Sequence, residues 1–234
     1  MDNLDELTPT VALESAILLL LGAALGALFA VVAAPQWVPG LAESLTGSSP
    51  KAYWYLARGS GLVAYWLLWL SVALGLAVTN KLSRVWPGGP AAVDLHQFTS
   101  LLALAFAVFH ALILLGDHYI GYTLTRVLVP FASTDYRPIW VGLGQVGFYL
   151  AVPVAFSFYA RRRIGYRAWR LLHYGSFAVY LLVTAHGLGA GTDAETPAIV
   201  GYYGLTGLFI YFLTVYRILV SVQRPRPRIR VRTQ

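Results

Sequence analysis

The chain alternates between long apolar runs and shorter stretches rich in polar residues, glycine and proline. Six of the runs are long enough to cross about 30 Å of hydrocarbon as helices. They are predicted at 13–34, 52–79, 91–116, 139–159, 168–188 and 198–222. The pattern therefore predicts an all-α membrane protein: a six-helix bundle over 13–222, with a short N-terminal tail at 1–12 and a basic tail at 223–234.

Two segments of the chain could be assigned in more than one way: the N-terminal run and the longest connection. The small-residue stretch AVVAAPQ resembles a signal-peptide cleavage site, but the opening MDNLDELTPTVALE carries four acidic residues and no basic one. Because a cleaved leader begins with positive charge, we expect the first run to remain as a span. The longest connection, DHYIGYTLTRVLVPFASTDYRP, is too polar to span and is expected to pack at the membrane interface.

The amino-acid composition supports assignment to the membrane proteins and limits the kinds of metal site that the chain can form. Hydrophobic residues make up 58% of the 234 and charged residues only 12%, which is too little polar surface for a soluble globule of this size. The chain has no cysteine, so disulfides, thiolate metal sites, iron–sulfur clusters and a thiol nucleophile are excluded. Any metal must bind histidine or carboxylate side chains.

The distribution of lysine and arginine predicts the orientation in the membrane. Thirteen of the 17 basic residues lie on one side: Lys81, Arg84, Arg161, Arg162, Arg163, Arg167, Arg170, Arg217, Arg224, Arg226, Arg228, Arg230 and Arg232. The other side has Lys51, Arg58, Arg126 and Arg137. We expect the chain to lie in the plasma or inner membrane. Since cytoplasmic loops carry the excess of positive charge, we expect both termini in the cytoplasm.

Four histidines lie in two of the predicted spans, His96 and His110 in the third, His173 and His186 in the fifth. Their separations correspond to about 21 and 20 Å along a helix axis, so each span carries one histidine towards each membrane face. Both spans start on the cytoplasmic side, which brings His96 level with His173 and His110 level with His186. Two facing neutral imidazoles are the axial ligands that a six-coordinate haem iron requires. The sequence predicts two haems between the third and fifth spans.

Helical periodicity suits one histidine spacing better than the other. Fourteen residues return to within about 40° of the starting face, whereas 13 residues leave His186 about 140° from His173. Local overwinding, a kink at Gly175 or different ring approaches at the two levels would each close the difference. The alternative for any one histidine is a hydrogen-bonded packing role. Four at two matched depths favour function, because polar groups in the bilayer are costly.

These residues resemble the ferric-reductase-like transmembrane domain, a family that includes ferric reductases, NADPH oxidases and the haem-bearing membrane subunit of the periplasmic methionine sulfoxide reductase system. The resemblance covers roughly residues 50–220 and rests on HX13H in the third span, HX12H in the fifth and the basic turn before the fifth. The stretches LVPF, YRPIWVGLGQ, WRLLH and HGLGAGTD are similar to those of small bacterial members. The resemblance implies two b-type haems, His96 with His173 on the cytoplasmic side and His110 with His186 on the outer side.

The resemblance also implies electron transfer from a cytosolic reduced flavin or nicotinamide donor, and two departures bear on donor and acceptor. Larger family members continue into a cytosolic FAD and NADPH domain, whereas no GxGxxG follows a strand in this sequence. We therefore expect a separate reductase, carrying FMN or FAD, to supply the electrons. The oxidases place a second histidine one turn beyond the outer ligand of the third span. Leu114 stands there in this chain, which argues against superoxide production.

Three arginines are candidates for holding haem propionates. Arg58, in ARGSG, matches the family's arginine near the outer haem and is expected to pair with a propionate or hold an anionic substrate. The alternative for Arg58 is a side chain that snorkels to the interface. Arg167 and Arg170 precede His173 and are candidate partners of the inner propionates.

For several other polar residues, the sequence allows both a functional and a purely structural interpretation. His118 is a candidate ligand or proton donor at an outer acceptor site, or an interfacial loop residue. Asp193 and Glu195 are candidates for binding a cation or a partner, or belong to a solvated loop. The arginine-rich turn and tail fit membrane topology and anionic lipid, with docking of an acidic flavoprotein as the alternative. We expect no nucleic-acid partner.

The resulting hypothesis is a one-electron relay through the two haems to an outer acceptor, which could be ferric iron, oxygen, a quinone or a periplasmic enzyme. Within redox chemistry, the alternative is a quinone-linked cytochrome b subunit that takes electrons from quinol. A different class is a haem-free transporter or assembly protein whose histidines conduct protons or bind a metal. No general base or nucleophile is predicted, because the chemistry belongs to the cofactor.

Overall fold

The computed structural model describes residues 9–37, 52–85, 87–117, 121–134 and 136–223. Within them, six helices are long and apolar enough to cross a membrane, which confirms the predicted all-helical architecture. They are α1 Leu13–Val32, α2 Ala52–Thr79, α3 Gly89–Ile113, α4 Pro138–Ile164, α5 Tyr166–Ala190 and α6 Pro197–Val222. Two short helices, Ala34–Trp37 and Leu124–Leu128, lie in the connections.

The junction between α4 and α5 is tighter than predicted. Helix α4 continues beyond residue 159, so Arg161, Arg162 and Arg163 lie in its last turn and not in a connecting turn. Positive side chains are favourable there because the helix dipole places negative potential at its C-terminus. The helix ends at Gly165, which has φ +83°, a conformation that favours glycine. The N–H of Gly165 donates to the carbonyl of Arg161.

Helix α5 also extends further than predicted. The span was predicted to end at residue 188, but the helix continues through Gly189 to Ala190, and Gly191 is the capping residue. A Cβ built on Gly187 would lie 2.1 Å from the Tyr203 hydroxyl oxygen, and one on Gly189 would lie 1.9 Å from the Trp140 ring. These glycines therefore allow aromatic side chains of α6 and α4 to pack directly against the backbone.

Packing divides the bundle into two helix pairs, α2 with α3 and α4 with α5. Helix α1 packs on α3, and α6 packs mainly on α2. Helices α3 and α5 make little direct backbone contact, yet His96 meets His173 near their starts and His110 meets His186 near their ends. The two helices are therefore co-directional, as expected.

The outer surface of the bundle is strongly apolar. Large side chains that are more than half exposed occur on several spans, among them Leu18, Leu25, Leu171, Leu181, Leu205 and Phe212. Such a surface would be unfavourable in water and suits a lipid environment. Together with the six long apolar helices, it identifies a multi-pass membrane protein.

The segment before α1 is tied to the end of the bundle where α3 starts. The N–H of Thr10 donates to Gln97 Oε1 at 2.8 Å, and the Thr10 hydroxyl donates to Asp94 Oδ1 at 2.5 Å. The Tyr159 hydroxyl of α4 donates to the carbonyl of Val11 at 2.9 Å. Residues 10 and 11 thereby join α3 and α4 next to His96.

Candidate functional site

A cavity of about 1140 Å³ runs through the bundle and is lined by residues of α2 to α6. All four intramembrane histidines border it: His96, His110, His173 and His186. Its walls are otherwise mostly apolar, with a small number of polar side chains, which is the usual composition of a site for a cofactor or small molecule. The cavity separates α3 from α5, the two helices that carry the histidines.

The histidines meet across this cavity as two pairs. The ring centres of His96 and His173 are 5.9 Å apart, with an angle of 78° between the ring planes. The ring centres of His110 and His186 are 6.1 Å apart, with an angle of 75°. The pairing is the one expected from the depths of the four residues. We call them the inner pair (His96 and His173) and the outer pair (His110 and His186).

The spacing of the rings fits one metal ion between each pair. A transition metal lies about 2 Å from an imidazole nitrogen, and that nitrogen lies about 1 Å from the ring centre, so two axial imidazoles have centres about 6 Å apart. The two observed separations, 5.9 and 6.1 Å, agree with this value.

In three of the four histidine rings, Nδ1 is hydrogen-bonded to a backbone carbonyl. Nδ1 of His96 lies 2.8 Å from the carbonyl oxygen of Ser71, Nδ1 of His110 lies 2.6 Å from that of Ala57, and Nδ1 of His186 lies 3.0 Å from that of Trp140. A carbonyl only accepts, so Nδ1 carries the proton in each case. Nε2 therefore keeps its lone pair for a metal, and the hydrogen bond makes it a more basic ligand.

His173 is the exception. Its Nδ1 is buried and has no hydrogen-bond partner among the described residues. Instead its ring stacks on Trp169, one turn earlier on α5, with ring centres 5.3 Å apart and an angle of 28° between the planes. His173 is thus positioned by an aromatic contact, whereas the other three histidines are positioned by backbone carbonyls.

Glycines on the neighbouring helices make room for three of the rings. A Cβ on Gly61 would lie 3.0 Å from Nδ1 of His110, and a Cβ on Gly75 would lie 3.2 Å from Cε1 of His96. Gly61 and Gly75 of α2 are 14 residues apart, the same separation as the two histidines of α3 that they contact.

Gly144 of α4 has the corresponding role for His186. A Cβ at this position would lie 2.6 Å from Nδ1 of the ring, closer than side-chain carbons approach in folded proteins. The outer pair is therefore enclosed by glycines on both sides, Gly61 behind His110 and Gly144 behind His186.

The two histidine rings of α5 contact different neighbours at the two levels. The helix is continuous over Tyr166–Ala190. His186 turns its Nδ1 towards Trp140 of α4, whereas His173 stacks on Trp169 of its own helix. How the 13-residue spacing between His173 and His186 is accommodated stays a prediction.

The histidine pairs are isolated from other metal ligands. In the part of the chain that the structure describes, no three histidine, cysteine, aspartate or glutamate side chains form a group that could hold a metal ion. Each pair therefore offers two facing imidazoles, which is the number of protein ligands that a six-coordinate haem iron takes.

Comparison with known families agrees with this arrangement. The family described as ferric reductase like transmembrane component matches residues 60–184, which is more than half of the 234 residues and includes three of the four histidines, His96, His110 and His173. The chain belongs to this ferric reductase-like family. No curated protein and no solved structure matches the sequence. The resemblance expected from the histidine spacing is confirmed.

The arginines predicted to bind propionates differ in position within this ferric reductase-like protein. Arg58 borders the cavity and forms an ion pair with Asp193, in the turn after α5. Arg170 also borders the cavity and donates to the Tyr174 hydroxyl at 3.0 Å. Arg167 is exposed and outside the cavity wall. Their roles towards a cofactor stay predictions.

Of the two other candidate residues from the sequence, Glu195 and His118, the described one, Glu195, does not line the cavity. Glu195 is exposed in the turn between α5 and α6. His118, the candidate outer ligand or proton donor, lies outside the described residues.

The C-terminal end of α5 is held by side chains of the connection that precedes α4. The Tyr136 hydroxyl donates to the carbonyl of Ala190 at 2.8 Å, and Arg137 donates to that of Gly189 at 2.7 Å. Burial raises the pKa of Tyr136, against the opposing effect of Arg137 and Arg58. The hydroxyl therefore stays protonated at neutral pH and keeps this hydrogen bond.

Sequence reasoning did not identify several residues of the site. They are the three glycines behind the rings, Ser71, and two arginines that border the cavity, Arg126 and Arg217. The 14-residue spacing of Gly61 and Gly75 was a usable signal, because it repeats the spacing of His96 and His110. Arg126 and Arg217 gave no such signal, since each was explained by membrane topology alone.

Proposed function

We propose that this ferric reductase-like protein transfers single electrons across the cell membrane through two b-type haems. The inner pair, His96 and His173, would hold one haem, and the outer pair, His110 and His186, the other. The donor is a separate cytosolic flavin- or nicotinamide-dependent reductase. The acceptor is a small molecule or a redox protein on the outer face.

One observation carries this proposal: two imidazoles face each other across the cavity at each of two levels, with ring centres 5.9 and 6.1 Å apart. Three of the four rings keep Nε2 free, because Nδ1 donates to a carbonyl. The levels are separated by 14 residues of α3, about 21 Å along the helix. Family membership supports electron transfer as the activity.

The residues of the chain have three tasks in this proposal. The backbone carbonyls of Ser71, Ala57 and Trp140 fix the tautomer and orientation of three rings. The apolar cavity wall keeps water away from the relay. The two helix pairs hold the facing rings at the required separation. When bound, haem supplies the one-electron redox chemistry at each level.

The direction of transfer follows from the distribution of basic residues. The ends of α2, α4 and α6 carry most of the lysine and arginine, and this side is expected to face the cytoplasm. His96 and His173 lie towards that side, near the starts of α3 and α5. Electrons would therefore enter at the inner pair and leave from the outer pair.

The proposal is tested with the full-length protein purified in detergent and then reconstituted in vesicles. We expect a reduced b-type absorption band, and reduction of ferricyanide trapped inside the vesicles by an impermeant reductant added outside. Replacing His110 or His186 by alanine should abolish the transfer. Leu181→Ala is the matched control, at an exposed position of the helix that carries His186, and should retain it. A correctly folded wild-type protein without a haem band would contradict the proposal.

A further inference from the structure

The ring of His173 is less restrained than the other three histidine rings of the cavity. Each of those three lies 3.2 Å or less from the position of a Cβ built on a glycine of a neighbouring helix. No described glycine has the His173 ring among its nearest atoms. Nδ1 of His173 also has no hydrogen-bond partner among the described residues. Neither a backbone carbonyl nor a glycine backbone therefore fixes this ring.

The part of α5 around His173 adds little restraint. The buried side chains of this helix are those of Val179 and Tyr180, both more than one turn beyond His173. Before Val179, the described hydrogen bonds of α5 stay within the helix or go to its capping residue. The first bond to another span is at Tyr180, whose hydroxyl lies 3.0 Å from that of Tyr65. Stacking on Trp169 is then the contact that positions the His173 ring.

His96, across the cavity from His173, is held by several polar contacts. Its Nδ1 lies 2.8 Å from the carbonyl oxygen of Ser71 and 3.1 Å from the hydroxyl of the same residue. That hydroxyl lies 2.6 Å from the Ser100 hydroxyl, which donates to the carbonyl of His96 at 2.6 Å. Because a hydrogen bond at Nδ1 makes Nε2 more basic, His96 is the stronger ligand of the inner pair and His173 the weaker one.

Two axial ligands of unequal strength make the weaker one replaceable. If the His173 ring leaves the iron for a fraction of the time, another ligand can bind during that fraction, with an apparent affinity reduced in proportion. The neutral imidazole leaves with its lone pair, so no charge is separated in the apolar cavity. Val154 and Phe158 of α4 line this part of the cavity and favour an uncharged incoming ligand over an ion.

We infer that His173 is an exchangeable ligand, and that small uncharged diatomic ligands of ferrous iron take its place opposite His96. The inference rests on the proposed function and adds a ligand-binding activity at the inner level. In the exchange, the bond between iron and Nε2 of His173 breaks, a bond from the incoming ligand to the iron forms, and the iron stays ferrous. Because such ligands stabilise ferrous iron, they would slow the passage of electrons to the outer level.

The outer pair should not exchange a ligand in this way. His110 donates through Nδ1 to a backbone carbonyl and lies against Gly61, and His186 does the same against Gly144. Each outer ring would have to break a hydrogen bond and find room next to a helix backbone in order to leave the iron. Ligand exchange therefore distinguishes the two levels.

The test uses the full-length protein in detergent, reduced with dithionite and mixed rapidly with carbon monoxide. We expect one of the two haems to give the absorption bands of a carbon monoxide complex. The rate should level off as the carbon monoxide concentration rises, because release of His173 becomes limiting. A variant with His110 and His186 both replaced by alanine should bind carbon monoxide as the wild type does. A variant with His96 and His173 both replaced should bind none.

Single substitutions test the role of the stacked ring, with rates compared per bound haem. Trp169→Ala should raise the limiting rate about 2- to 10-fold, the range expected for loss of one aromatic contact. Trp169→Phe keeps a ring and should stay close to the wild type. Leu171→Ala is the matched control, because Leu171 is 75% exposed and lies in the same half of α5 outside the cavity wall. It should leave the rate unchanged.

His173→Ala shows that the assay works, since its inner haem should bind carbon monoxide without the limiting step. The inference is wrong if the wild-type protein holds two haems and binds no carbon monoxide while this variant binds it. It is also wrong if the outer level binds carbon monoxide as fast as the inner level does. A wild-type protein without haem would instead overturn the proposed function, and this inference with it.

Discussion

The inner and outer histidine pairs have the same ring separation but differ in how firmly their rings are held. Both outer rings donate through Nδ1 to backbone carbonyls, those of Ala57 and Trp140. At the inner pair only His96 does so, through Ser71, and the buried Nδ1 of His173 has no described partner. A hydrogen bond at the second nitrogen makes a histidine a stronger ligand for oxidised iron.

Similar histidine pairs can therefore give redox centres of different potential. With one fewer such hydrogen bond, the inner centre should favour reduced iron relative to the outer centre. We therefore expect two titrating components, with the inner one at the higher potential. The pairs can be told apart by substituting the residues that position only one of them.

The largest effect is expected from Gly144→Ala, which acts on the outer pair alone. Its Cβ would lie 2.6 Å from Nδ1 of His186, so the ring must move and lose its bond to Trp140. Loss of such a supporting contact typically weakens metal-site binding about 10- to 100-fold. Haem quantification should show loss of one component, with the inner component intact. Gly22→Ala is the control, because nothing lies within 4 Å of a Cβ there.

A smaller effect, confined to the inner pair, is expected from Trp169→Ala. This change removes the ring that stacks on His173, the contact that positions a histidine without a hydrogen-bond partner. We expect about 10-fold weaker haem retention at the inner level, measured as the haem-to-protein ratio during dilution. Trp169→Phe keeps an aromatic ring and should retain most binding. Equal losses at both levels would show that the two pairs are not independent.

A change in stability without a redox effect is expected from Tyr136→Phe. It removes one hydrogen bond, to the carbonyl of Ala190 near the end of α5, and should cost about 1 kcal/mol of unfolding free energy. The measurement is thermal unfolding in detergent. Because burial raises the pKa of Tyr136, the wild-type hydrogen bond should persist through neutral pH and be lost only at strongly alkaline pH. A stability difference that disappears near neutral pH would contradict this.

The smallest effect is expected from Ser71→Ala. The Ser71 hydroxyl lies 3.1 Å from Nδ1 of His96, but the main bond from that nitrogen goes to the backbone carbonyl of the same residue, at 2.8 Å. Alanine keeps the carbonyl. We expect both haems to be retained and only the inner component to shift slightly in the titration. A large loss of haem would mean that the hydroxyl holds the ring.

The spans and the meeting of the histidines could be predicted because both depend on simple periodicity. Apolar length predicts the membrane helices, and depth along co-directional helices brings His96 level with His173 and His110 level with His186. The ends of α4 and α5 could not be predicted in the same way. Helix α4 continues through Arg161, beyond its predicted end at residue 159. Helix α5 continues through Gly189, beyond its predicted end at residue 188, and this glycine allows the Trp140 ring to pack against it.

The remaining parts of the site depend on contacts that a sequence does not display. The shortest bond to the second nitrogen of His96, His110 and His186 goes to a backbone carbonyl, which any residue type provides. Arg126 reaches the cavity because Gln145 fixes a short helix in a connection that was predicted only as an interfacial loop. Such features become visible only when neighbouring helices are placed together.

The central claim is that each histidine pair holds one haem independently of the other. It is tested most directly by quantifying haem in the purified wild-type protein, in a variant with His96 and His173 both replaced by alanine, and in one with His110 and His186 replaced. We predict two haems in the wild type and one in each variant. The haem that remains in the first variant should differ in its reduced spectrum from the haem that remains in the second. A wild-type protein without haem, or a variant that keeps two, would contradict it.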